Sequence, residues 1–65
     1  MKYKTLTFDT KQEYQQAIVD LIMKGKLNKV RFNGHKDFHK DFIFNKTIKK
    51  YNADFDHSKW FIIMT

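Results

Sequence analysis

The stretch KDFIFNKTIKKY, residues 40–51, admits two foldings, and the architecture of the chain turns on which one holds. In the first, DFIF is a short run apolar on both faces, residues 41–45 form a third strand, and Ile48, Tyr51 and Phe55 then fall three and four apart, as in a short helix. Lys46, Lys49 and Lys50 would make that helix basic on its outer side. In the second, one helix runs continuously over residues 38–51. At about 100° per residue it spreads Phe42, Ile43 and Phe44 around its whole circumference. The periodicity favours the first folding, since it keeps the apolar side chains together.

Upstream of this stretch the pattern is plainer. In YKTLTF, residues 3–8, Lys4, Leu6 and Phe8 alternate with Tyr3, Thr5 and Thr7, the period of a strand. Thr10, followed three residues later by Glu13, is a capping box that starts a helix. Tyr14, Ala17, Ile18, Leu21 and Ile22 then recur at helical spacing as one apolar stripe, and KGK closes the helix with Gly25 suited to a left-handed position. LNKVRF, residues 27–32, reads as a second strand ending at the turn signal Asn33-Gly34. A tight hairpin there would set Val30 opposite Asp37, so a longer basic loop over residues 33–40 is expected. With a helix between them, the first two strands predict a parallel βαβ unit. DHSK makes a turn, and WFIIM, residues 60–64, is a final strand apolar on both faces and internal to the sheet.

The resulting fold class is α+β, a trimmed ferredoxin-like β-α-β-β-α-β domain spanning residues 1–65, with both helices on one sheet face and the other face open. The continuous-helix folding of the deciding stretch yields the alternative order β-α-β-α-β. Within the ferredoxin-like order, Lys40-Asp41-Phe42-Ile43-Phe44 resembles part of the third-strand aromatic motif of RNA-recognition-motif domains, and that resemblance implies an open sheet face on which aromatics stack bases.

Composition narrows the function. A chain of 65 residues has material for one hydrophobic core, and its 7 Phe, 3 Tyr and 1 Trp exceed what that core needs. Without cysteine there is neither a disulfide framework nor a thiolate metal site, which favours a cytoplasmic protein. MKYKTLTFDT lacks the apolar segment of a signal peptide, and no apolar run reaches membrane-spanning length, so no membrane partner is expected. Thirteen Lys and Arg against seven Asp and Glu leave a net charge of +6, which points to polyanionic partners. All but Arg31 of these cations are Lys, suited to phosphates rather than to base-edge readout.

His35 and His39, four apart and interleaved with Asp37 and Asp41, would share a zinc-binding face on a helix. The adjacent Asn33-Gly34 argues against a helix there, and Asp54, Asp56 and His57 supply no third ligand at a fixed spacing, so neither metal nor cofactor is expected. No catalytic motif stands out, and a non-enzymatic role follows. The candidate site is the basic set Lys29, Arg31, Lys36 and Lys40 around the central loop with Lys46, Lys49 and Lys50 on the second helix. Phe38 or Tyr3 would stack on a base, and the loop over residues 33–40 would be its centre. The expected function is binding of nucleic acid, RNA or single-stranded DNA, through this lysine-rich face.

A small, cysteine-free and proline-free chain rich in Lys, Phe, Ile and Asn also resembles the accessory proteins of phages and other mobile elements with AT-rich genomes. That resemblance implies the alternative function, a modulator or inhibitor that docks on an acidic host protein acting in transcription, RNA decay or defence.

Overall fold

The central strand explains the rest of the architecture. In the computed structural model, which describes residues 3–51 and 58–65, β3 (Trp60–Met64) lies between β1 (Lys4–Phe8) and β2 (Val30–Gly34) in a three-stranded sheet of order β1-β3-β2. Both pairings are antiparallel. β1 and β2 therefore point the same way, as the expected parallel βαβ unit requires, with β3 between them.

Because side chains alternate along a strand, WFIIM presents Ile62 and Met64 to one face and Phe61 and Ile63 to the other. Each face must then be covered. On the first, α1 (Lys11–Met23) packs Leu21 against Ile62 and Met64, with Phe8, Tyr14, Ala17, Ile18 and Val30 around them. On the second, α2 (Asp41–Tyr51) packs Phe44 against Phe61 and Ile63, joined by Tyr3, Phe32, Ile48 and Tyr51. The helices thus lie on opposite faces of the sheet, not on one face with the other left open.

The element order is β-α-β-α-β. Residues 41–45 are the first turns of α2, not a third strand, and the deciding stretch folds as a single helix. Phe44, Ile48 and Tyr51 sit at i, i+4 and i+7, a buried line that faces Phe61 and Ile63. Asp41 in the first turn and Lys49 and Lys50 in the last complement the helix dipole. The cost is that Phe42 and Ile43 remain outside. The expected extension of this helix to Phe55 lies outside the described residues.

β2 also differs from its expected bounds. Leu27–Lys29 forms a 3-10 turn, and the strand runs through Asn33-Gly34 instead of turning there. Val30 pairs with Met64 but Phe32 pairs with Ile63, so Arg31 is the extra residue of a bulge. That inserted residue reverses the alternation: Val30 joins the α1 core and Phe32 the α2 core, although two residues apart they would otherwise share a face. Asn33 consequently faces α1, where its Oδ1 accepts the Tyr14 hydroxyl at 2.6 Å. Burial pushes the Tyr14 phenol up from its ordinary range, so it stays a protonated donor at neutral pH.

α1 forms as its caps dictate. Thr10 Oγ1 accepts the Glu13 amide, and at the other end Gly25 adopts φ +68 while Gly25 N–H and Lys26 N–H donate to the carbonyls of Ile22 and Leu21, a Schellman closure. Its stripe is narrower than the spacing suggests. Leu21 is 9% exposed, whereas Ile22, expected beside it in the core, is 54% exposed. Leu21→Ala is therefore expected to lower stability by roughly 2–4 kcal/mol and Ile22→Ala by less than about 1 kcal/mol, compared by urea unfolding.

Candidate functional site

The expected cations divide into three groups. Lys46 and Lys49 come together on the outer side of α2, where they line, with Phe42 and Asn45, an open depression of about 420 Å³. These residues follow the spacing i, i+3, i+4, i+7 from Phe42, opposite the buried line through Phe44. Lys50 stands one turn beyond Lys46, its Nζ 5.5 Å from the centre of the Tyr51 ring. Lys40 opens the helix, its carbonyl accepting the Phe44 amide. Lys40, Lys46, Lys49 and Lys50 thus follow a single helix.

Lys36 and Phe38 belong to a 3-10 turn, Lys36–Phe38, beside the Trp60 end of β3. Trp60 is the hub there, stacked on Tyr14 at 4.9 Å, met edge-on by Phe38 at 5.1 Å and at a tilt by His35 at 5.2 Å, with Lys11 Nζ 5.8 Å from its centre. Phe38 keeps 65% of its surface exposed although one side is engaged. Lys29 and Arg31 lie at the other end of β2, where Val30 pairs with Met64 while Gly34 pairs with Phe61. The Arg31 guanidinium donates to the Asn28 carbonyl at 3.1 Å, and the Lys29 carbonyl accepts the Thr65 amide. The set around residues 33–40 is therefore not one cluster.

Tyr3, expected as a stacking residue, is half-buried in the α2 core with its ring 4.8 Å from Tyr51. Phe42 is the reverse case. The expected strand over residues 41–45 makes it one of the apolar residues of the sheet, yet it is 74% exposed. Two residues from Phe44, it stands about 200° around the helix from the buried line, a position the continuous-helix folding alone reveals.

The two histidines take separate structural roles. His35 Nδ1 accepts the Asp37 amide at 3.2 Å, which matches a neutral ring whose Nε2–H donates to the Ser58 carbonyl at 3.1 Å. His39 packs its ring against Phe32 at 4.4 Å and Phe44 at 6.2 Å, and its buried Nε2 has no hydrogen-bond partner among the described residues. Gly34, at φ +124, holds a conformation that side chains rarely adopt, while a Cβ there would stand in ordinary contact, 3.4 Å from His39 Nε2 and 3.6 Å from Phe38. Gly34 thus serves the backbone at the end of β2, not a hairpin. Among the described residues no three His, Asp or Glu gather as metal ligands, and Asp54, Asp56 and His57 lie outside them.

Among the described residues, three acids outside α2 have partners other than its lysines. Asp9 pairs with Lys59 at 2.9 Å, Asp20 accepts from Gln16, and Asp37 sits by His35. Within α2 the one acid is Asp41, in the first turn. Lys46 therefore faces two like charges, Lys49 at i+3 and Lys50 at i+4, each pair costing the helix on the order of 0.2–0.5 kcal/mol. Among the described residues no helix is long and apolar enough to cross a membrane. No protein-family model, curated protein or solved structure matches the chain. The chemistry of the site rests on its own residues.

Proposed function

We propose that the protein is a small, non-enzymatic binding module of the cytoplasm that takes up nucleic acid, RNA or single-stranded DNA, on the lysine-bearing outer side of α2. The observation that carries this reading is the run of three mutually repelling lysines, 46, 49 and 50, with no acid of the helix within one turn. A polyanion relieves that repulsion and releases condensed counterions as it binds. Lys40 and Lys36 extend the positive surface at the start of the helix, and the excess of +6 steers the encounter over longer range. Lys29 and Arg31, at the far end of β2, contribute through that field.

Fluorescence anisotropy with labelled oligonucleotides of mixed sequence tests this. With about three to five phosphate contacts, log affinity is expected to fall against log salt with a slope of roughly −2 to −4, with little dependence on sequence. Absence of binding at low salt would remove the proposal. A second reading, a modulator that docks on a host protein, is favoured by one feature of α1: Val19, Ile22 and Met23 form an exposed apolar strip beside Ile18.

A further inference from the structure

We infer that Phe42 is a base-stacking platform which, with Asn45, Lys46 and Lys49 around it, makes the outer side of α2 a site for single-stranded nucleic acid in particular. The inference rests on the function proposed above and adds to it the residue that selects unpaired strands.

Three observations converge on Phe42. Its ring is largely in water, and leaving so much aromatic surface exposed forgoes stabilisation that a small domain can ill spare. The depression beside it has a volume within the range of small-ligand sites and is lined, among the described residues, by this ring, one amide and two cations. The lysines are also well placed along the helix axis. A rise of 1.5 Å per residue sets Lys46 about 6 Å and Lys49 about 10 Å beyond Phe42, so both flexible stems reach phosphates on the C-terminal side of a base lying on the ring. Asn45, between the ring and Lys46 along the axis, offers both a donor and an acceptor to the edge of that base.

Phe38, the other exposed phenylalanine of the basic region, already has one side against Trp60. Phe42 has the lysines next to it. A base in a duplex keeps its faces stacked on its neighbours and cannot lie on Phe42, whereas an unpaired base can. Phosphate contacts alone do not make this distinction.

The test compares Phe42→Ala, Phe42→Leu and Phe42→Tyr with the parent on single-stranded and duplex oligonucleotides of equal length. Phe42→Ala and Phe42→Leu are expected to weaken single-strand binding roughly 5- to 100-fold, leave duplex binding and the salt slope unchanged, and melt like the parent, while Phe42→Tyr retains affinity. Phe42→Leu keeps an apolar side chain, which separates stacking from simple burial. If the parent binds with the expected salt slope but the Ala and Leu variants lose nothing, or lose equally on duplex, the platform is overturned and the lysine face stands. If the parent binds neither oligonucleotide, the functional reading falls and the platform falls with it.

Discussion

Replacing Phe61 by Ala is expected to remove a third or more of the protein's stability and to lower its thermal transition steeply. Phe61 is 0% exposed at the centre of the middle strand, with its ring 5.5 Å from Phe32 and 5.6 Å from Phe44. Truncation of a buried phenylalanine costs about 3–5 kcal/mol, because the cavity adds to the lost transfer energy. A domain of this length holds only roughly 3–10 kcal/mol in total, so the loss ranges from a third of the stability to all of it. Phe61 is also what α2 covers. Losing it detaches the helix from the sheet as well as hollowing the core, and circular dichroism should show helix content falling together with the thermal transition. A Phe61→Ala variant that melted within a few degrees of the parent would mean that α2 does not pack on this face.

The second large effect concerns binding. Exchanging Lys46, Lys49 and Lys50 together for Gln is expected to leave the fold intact, since all three point outward and their mutual repulsion disappears with them. If each makes one phosphate contact, the slope of log affinity against log salt flattens by about 2, and affinity near 0.1 M salt drops roughly 100-fold. Near 1 M salt the two proteins should bind alike, because the counterion term vanishes there. Gln exchanges at Lys26, Lys29 and Arg31 remove equal charge from around the Val30 end of β2. They should cost far less affinity, which separates local contact from the field of the whole protein. Equal losses from the two sets would leave only a nonspecific positive surface.

Much of the fold can be read from the residues in order. Thr10 and Glu13 announce the start of α1 and Gly25 its end, because capping is a local matter of orphan amides and carbonyls. The alternation in residues 4–8 and the doubly apolar WFIIM likewise declare β1 and the central strand. The number of layers was present as well, in a less obvious form. A strand apolar on both sides needs cover on both, which is incompatible with two helices on one face, and β3 therefore demands α2 on the side opposite α1. That requirement arises from residues 60–64 but decides the state of residues 41–45, and no periodicity within the latter contains it. Phe42-Ile43-Phe44 looks like a buried strand locally, and tertiary burial chooses Phe44 alone.

The bulge at Arg31 was hidden for a similar reason. Nothing in VRFNG marks an extra residue, and it appears only when Val30 and Phe32 must serve different cores. As for the site, the lysines themselves are legible in the composition and the run KTIKK. What the sequence withheld was their grouping, since Lys29 and Arg31 stand a strand's length from Lys36 and Lys40. Phe42 was withheld with it, because its exposure depends on the helical state of its segment.

The central claim is that nucleic acid binds the outer side of α2, and amide chemical-shift mapping of the isotopically labelled protein during titration with a short single-stranded oligonucleotide tests it most directly. The account predicts that the shifts concentrate at Phe42, Asn45, Lys46, Lys49 and Lys50, with smaller ones at Lys36 and Lys40 and none along Val19, Ile22 and Met23. Shifts confined to the α1 strip, or none at saturating oligonucleotide, would contradict it.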